Sequence, residues 1–306
     1  MSDIELVPRG PFSLDAARDF AGGFPAGIGG GGVGPRSITL AFPVEGTEES
    51  AALELWQEGD GTVRGRSDAT GELLRRATVQ AARSLSLDHD GTGWPAVGER
   101  DPVIGRLQRE HAYLRPVCFY SPYEAASSFV IGQRISRRQS ATIKAGISDE
   151  LGDRPSIAGT PVPAFPRPSR LLELRSARGL NDEKIRRLHG LARAALDGVL
   201  DTQRLRSLPE EAALASLLAL PGVGPFTANG ILYRGCGVAD GLPGGDELAG
   251  EVIRDVYGIE APSGDGLIAM AEAWRPYRMW AVVLLRMAWT RAAGGRVSYR
   301  RDRPSS

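Results

Sequence analysis

Two glycines with one residue between them, Gly222 and Gly224, are the best placed groups in this chain to bind an anion. They stand in Leu220-Pro221-Gly222-Val223-Gly224-Pro225-Phe226-Thr227-Ala228, between two segments of helical pattern. Such spacing makes a tight hairpin whose backbone N–H groups stay exposed, and a helix starting at Pro225 adds the positive end of its dipole. That is chemistry for a phosphate. By spacing alone the same residues are equally a plain corner between helices. Asp246 follows in Leu242-Pro243-Gly244-Gly245-Asp246-Glu247-Leu248, where a helix N-terminus would keep its carboxylate ionised and able to stabilise positive charge. Spacing alone favours an ordinary N-cap there. The two cysteines, Cys118 and Cys236, and the three histidines, His89, His111 and His189, are too far apart for metal-ligand spacing, so no metal and no cofactor is expected.

The elements that must position these groups divide in two. Before residue 112 the chain alternates as strands do over Arg36 to Val44, Ala51 to Trp56 and Thr62 to Arg66, followed by helical spacing from Glu72 to Leu85 and from Arg100 to His111. Gly27 to Gly34 lacks the Gly-Lys-Ser/Thr ending of a phosphate cradle and reads as a flexible connection. After residue 112 the pattern is helical throughout. Ser121-Pro122-Tyr123-Glu124 has the form of a capping box, and further helices are readable at 138–150, 169–174, 182–196, 209–218, 225–233, 247–257, 264–274 and 276–292. The expected fold class is therefore α+β: a small antiparallel sheet domain with helices over 1–112, then an all-α region over 113–306.

Composition fits this reading. The 306 residues are 42% hydrophobic and 24% charged, and no apolar run is long enough to cross a membrane, so a cytoplasmic protein is expected. The zero net charge is unevenly divided: residues 1 to 112 hold 11 Arg against 17 Asp and Glu, leaving an excess of six positive charges in the rest. A basic half suits a polyanionic partner.

At this point the residues resemble a family. Leu220 to Ala228, with Asp246 at the matching distance, is similar to the hairpin and aspartate of the helix-hairpin-helix base-excision DNA glycosylases. The resemblance extends to Ser121-Pro122-Tyr123-Glu124, Ile131-Gly132-Gln133-Arg134-Ile135-Ser136, Phe165-Pro166-Arg167-Pro168, Gly179 to Ala195, and Trp274-Arg275-Pro276-Tyr277-Arg278. The branch it most resembles is the bacterial 3-methyladenine DNA glycosylase II type, whose small sheet domain precedes the helical ones. Pro11-Phe12-Ser13-Leu14-Asp15 and Phe20 fit the beginning of that branch.

The resemblance implies an enzyme that binds double-stranded DNA as a monomer, flips a damaged base, and cleaves its glycosidic bond. Asp246 would stabilise the oxocarbenium-like sugar. Gly222, Gly224 and Thr227 would give main-chain N–H groups to a DNA phosphate, which positions DNA without reading sequence. Arg134 falls where the family inserts a wedge into the gap left by the flipped nucleotide, although relatives carry an apolar or amide residue there. Phe226 occupies the position of the Schiff-base lysine of bifunctional members, so no lyase activity is implied. A non-catalytic helix-hairpin-helix protein that recognises distorted DNA is the alternative.

The base pocket implied by the resemblance is altered. Phe20 and Phe226 stand at two aromatic positions, but Gly230 and Glu247 stand where tyrosines are expected and Arg286 where a tryptophan is expected. Trp280 and Trp289 are near enough on that helix to compensate. A roomier, more polar pocket would excise cationic alkylated purines weakly and prefer a neutral or polar lesion.

Overall fold

The computed structural model describes residues 1–22, 36–243, 247–260 and 264–292. Strand β1 (Ser2–Leu6) is followed by helix α1 (Leu14–Gly22), strands β2 (Ser37–Pro43), β3 (Ser50–Gln57) and β4 (Val63–Ser67), and helix α2 (Gly71–Ser84). The sheet order is β1-β4-β3-β2 and every pairing is antiparallel, with Leu40 opposite Leu53 and Ile4 opposite Gly65. Neither β1 nor α1 was readable from periodicity.

Alternation in β2 predicts one wet face, yet all seven of its residues are buried. Ile38, Leu40 and Phe42 join a core with Ala77 and Ala81 of α2. The opposite face holds Ser37, whose hydroxyl donates to Glu54 Oε1 at 2.8 Å, and Ala41, which packs with Ile157 and Ala164. That cover comes from the helical half of the chain, so no local pattern could announce it.

The helix expected at 100–111 is α4 (Pro102–Glu110), and a further helix, α3 (Trp94–Arg100), precedes it in the turn-rich stretch. Pro102 has no N–H to continue α3, and Asp101 caps α4 by accepting from the Val103 and Ile104 N–H groups. The other Asp101 oxygen accepts from Tyr257 Oη at 2.6 Å and Trp274 Nε1 at 2.7 Å. Although both helices precede residue 112, they pack on the C-terminal helices: Trp94, Val97, Ile104 and Leu107 share a core with Val252, Trp274 and Leu284.

Helix α5 (Pro122–Gly132) starts where Ser121 accepts from the Glu124 N–H at 3.1 Å. The reciprocal half of the expected capping box is absent: the Glu124 carboxylate is buried and accepts from Lys144 Nζ at 2.7 Å instead. A complete box occurs at Ser136 and Gln139, at the start of α6 (Arg137–Leu151). The short hairpin β5 (Ser156–Ile157) and β6 (Thr160–Pro161) is pinned to the sheet by Asp68, which accepts from Ser156 Oγ and from the Ala158 and Gly159 N–H groups. These bonds, that from Gly159 foremost, hold the Asp68 carboxyl below its usual range.

The remaining helices are α7 (Pro168–Leu171), α8 (Asp182–Leu196), α9 (Thr202–Ser207), α10 (Glu210–Leu218), α11 (Pro225–Asn229) with its π-helical continuation Gly230–Gly235, α12 (Glu247–Tyr257), α13 (Gly264–Ala271) and α14 (Arg278–Ala292). A large apolar core joins α5, α6, α8 and α10 with the π-helical turn. The architecture is α+β, a small antiparallel sheet beside a predominantly helical body. Phe20 packs against all three large cores and so marks where they meet. No described helix is long and apolar enough to cross a membrane.

Candidate functional site

The hairpin between α10 and α11 is built as the glycines require. Gly222 sits at φ +76°, and a Cβ there would lie 2.5 Å from Cδ of Arg187. Val223 donates to the Leu220 carbonyl at 3.2 Å and buries its side chain in the helical core, which turns Gly224 outward. Gly224 is the extended N-cap of α11, and its carbonyl accepts from Ala228 at 2.8 Å. Among the described residues, Gly222, Gly224 and Thr227 donate to no backbone carbonyl outside the helix. Gly222 and Gly224 lie at or near the surface at the start of the helix that Pro225 opens, an arrangement whose N–H groups and dipole could take a phosphate, whereas Thr227 is buried.

Helix α8 supports this hairpin from below. Gly190 allows Pro221 to approach, since a Cβ there would lie 2.9 Å from Pro221 Cγ. Lys184 Nζ donates to the Ile131 and Gln133 carbonyls at 2.8 and 2.7 Å, satisfying the end of α5. Burial, then the positive charges of Arg187 and Arg134, pull the Lys184 pKa below its usual value. Arg134 itself is exposed in the turn after α5, at φ +60°. Sequence reasoning singled out Arg134 but not Gln133, Lys184, Arg187 or Gly190, which bring it beside the hairpin.

The pocket residues fall in several places. Phe226 is 50% exposed and meets Phe129 edge-on, ring centroids 5.8 Å apart; Phe129 in turn lies 5.5 Å from Phe119. Gly230, in the π-helical turn, has room for no side chain: a Cβ would come closer than 3.0 Å to the Phe129 ring. The Phe129 ring of α5, a residue that position-by-position reading overlooked, occupies the space over Gly230. Phe20 is partly buried, with the Arg234 guanidinium 5.6 Å from its ring centroid.

Trp280 does not compensate at the pocket as expected. It is 2% exposed, packed edge-on against Trp94 and His89, with Arg115 over its ring. Its direction on α14 differs from that of Arg286, since six residues advance a helix well beyond one turn. Trp289 is bound to Asp255, its Nε1 donating to Oδ2 at 2.7 Å. Arg286 lines a small, mostly apolar crevice together with Pro243, Val252, Trp274 and Leu285. Asp246, the Gly27 to Gly34 connection and the side chain of Glu247 lie outside the described residues.

The approach to that region is nonetheless anchored. Asp240 pairs with Arg275 and Arg278 at 2.7 Å each, and the Met279 N–H donates to the Ala239 carbonyl, so the segment ending at Pro243 is tied to α14. Lys144 is sequestered against Glu124 and over Phe165. Both cysteines are buried, and burial raises both thiol pKa values. Among the described residues no cluster of His, Cys, Asp and Glu could hold a metal ion.

No family model matches the chain. It is 24% identical over 207 residues to the DNA-3-methyladenine glycosylase of Bacillus subtilis, covering 66% of this chain and 68% of that protein. It is 27% identical over 187 residues to DNA-3-methyladenine glycosylase 2 of Escherichia coli, covering 59% of this chain and 62% of the relative. Among solved structures, the 3-methyladenine DNA glycosylase from Archaeoglobus fulgidus superposes with a TM-score of 0.77 over 95% of this chain and 99% of the other, at 18% identity.

Proposed function

We propose that this chain, which has the fold of the helix-hairpin-helix DNA glycosylases and is similar in sequence to bacterial 3-methyladenine DNA glycosylases, is a monofunctional glycosylase of base excision repair. It takes duplex DNA as substrate, flips a damaged base and hydrolyses its glycosidic bond, leaving an abasic site. The observation that carries the reading is the hairpin, with Gly222 and Gly224 N–H groups that donate to no backbone carbonyl, and the exposed Arg134 turn beside it. The hairpin grips a phosphate while Arg134 enters the stack left by the flipped nucleotide.

Asp246 is assigned the reacting centre on its distance from the hairpin. Its carboxylate stabilises the oxocarbenium-like sugar and directs the water that attacks it. No lysine follows the hairpin glycines to form a Schiff base, because Phe226 stands there. Of the chain's two lysines, Lys144 is ion-paired in the interior and the Lys184 ammonium is spent on the Ile131 and Gln133 carbonyls, so neither is presented to a DNA sugar.

The pocket reading shifts with Phe129. With that ring beside Phe226, the aromatic loss is smaller than the glycine at 230 implies, which supports an alkylated purine as substrate. Against it, Arg234 already stacks on Phe20, and Arg286 lines the crevice; both disfavour a second cation.

The test is single-turnover excision from duplexes carrying 7-methylguanine, 3-methyladenine, hypoxanthine or uracil, with Asp246→Asn as control. Base release is expected, and the variant should lose on the order of 10² to 10³ in rate while still binding DNA. Wild-type protein that binds these duplexes but releases no base would leave only the DNA-binding reading; near-wild-type release by the variant would remove Asp246 from the mechanism.

A further inference from the structure

We infer that Gln133 is a positioning residue that latches the Arg134 turn to the phosphate-binding hairpin, so that wedge and clamp meet DNA as one body. The inference rests on the proposed roles of the hairpin and of Arg134.

Gln133 follows α5 directly and is 89 residues from the hairpin in sequence. Its Nε2 donates to the Gly222 carbonyl at 2.8 Å, and its Oε1 accepts from Arg187 Nη1 at 3.0 Å. The amide orientation is not arbitrary: a carbonyl can only accept and a guanidinium can only donate, so one side-chain amide joins both. Glutamate in its place could not donate, and an apolar side chain could do neither. Its own carbonyl is taken by Lys184 Nζ. Each polar group of this side chain, and the backbone carbonyl behind it, therefore has a partner.

Both ends of the latch carry backbone that needs fixing. At one end, Arg134 stands at φ +60°, a conformation disfavoured for a residue with a Cβ and held only when its surroundings determine it. The Lys184 bonds immediately before it and the Ser136 capping box immediately after it confine that turn. At the other end, the peptide joining Gly222 and Val223 is held from both sides, its carbonyl by Gln133 and its N–H by Leu220. Fixing that plane aims the neighbouring glycine N–H groups. Arg187 closes the ring: its Cδ fills the space over Gly222, its Nη1 binds Gln133, and its Nε donates to Glu183 at 2.9 Å.

Function requires such a connection. A wedge acts only if it enters the stack while the adjacent phosphate is gripped, since unstacking a paired nucleotide costs energy that the grip must supply. A lesion already mispaired needs less of it.

The experiment compares Gln133→Ala, Gln133→Glu and Arg134→Ala with the wild type in two measurements. In free protein, hydrogen exchange of Gln133→Ala should rise by roughly tenfold at the bonded amides of Ile135 and Ser136 and at that of Val223 in the 222–224 hairpin together, with α8 unchanged, as expected when one local bond system opens. Arg134→Ala should leave 222–224 unaffected. A rise confined to 134–136 would overturn the latch. In single-turnover excision, Gln133→Ala should lose about tenfold or more on a correctly paired lesion but less than about threefold on the same lesion in a mismatch. Gln133→Glu should fall with Gln133→Ala. Equal loss on paired and mispaired substrates would also overturn the latch. If the wild type releases no base from any duplex, the glycosylase reading fails separately, and the exchange pattern alone decides the latch.

Discussion

Gly230→Ala tests whether Phe129 occupies the position left by the missing side chain. The added Cβ would come closer than 3.0 Å to the Phe129 ring, which is hemmed in by Phe119 at 5.5 Å and Phe226 at 5.8 Å. The ring must move, and overpacking of this kind costs about 1–3 kcal/mol. Against this, replacing glycine by alanine within a helix returns about 0.8–1 kcal/mol of backbone propensity. The net expectation is a loss of about 1 kcal/mol, the steric term winning narrowly. In a Phe129→Ala background the obstacle is gone and the same substitution should stabilise by nearly the full propensity term. Urea denaturation of the four proteins gives the coupling directly, expected at about 1–3 kcal/mol. Base excision adds a second arm: Gly230→Tyr combined with Phe129→Ala returns a ring from the other side and should recover activity lost in Phe129→Ala alone. If Gly230→Ala stabilises equally in both backgrounds, Phe129 does not fill that space and the revised pocket is wrong.

Three further outcomes follow from particular groups. Gly222→Ala places a Cβ at φ +76° against Arg187, so it should cost about 1–2 kcal/mol from the left-handed backbone and weaken DNA binding, measured by denaturation and by titration with a fluorescent duplex. Borohydride reduction during turnover should trap no protein–DNA adduct; a stoichiometric adduct would show that Lys184, Lys144 or the terminal amine acts as nucleophile. Burial foremost, with Arg291 beside it, holds the His111 pKa below its ordinary value, so the folded state favours the neutral ring and its contribution is complete above about pH 6.5. As pH falls toward the depressed pKa that contribution is lost, and melting temperature followed from pH 7 to 5 should decline less steeply in His111→Gln.

What was legible in the sequence is what local rules determine. The hairpin needed only two glycines, a buried valine between them and a proline to open the next helix, all within five residues. The helix start at Ser121 was readable for the same reason, whereas the short α9, capped by Asp201, was not. Where a side chain found a better partner far away, the local rule failed. Glu124 gave up its capping role for Lys144, and α3, which the turn-rich sequence did not announce, is held by packing on Val252, Trp274 and Leu284 more than 150 residues on. The second face of β2 is dry because Ile157 and Ala164 return to it.

The same distinction separates the hairpin from the pocket. A phosphate clamp made of main-chain N–H groups depends on backbone conformation, which glycine and proline encode where they stand. A pocket wall is a volume, and a volume can be filled from any neighbouring element. Gly230 and Phe129 belong to segments about a hundred residues apart, yet a ring on α5 fills the space that a side chain on the π-helical turn would take. Aligning positions therefore overstates how far the pocket has changed. Carried on α5, Phe129 stands only four residues before Gln133, on the helix that ends in the Arg134 turn. Under the proposed function, a shift of that turn would also move the Phe129 ring beside Phe226, joining base selection and duplex opening through one helix.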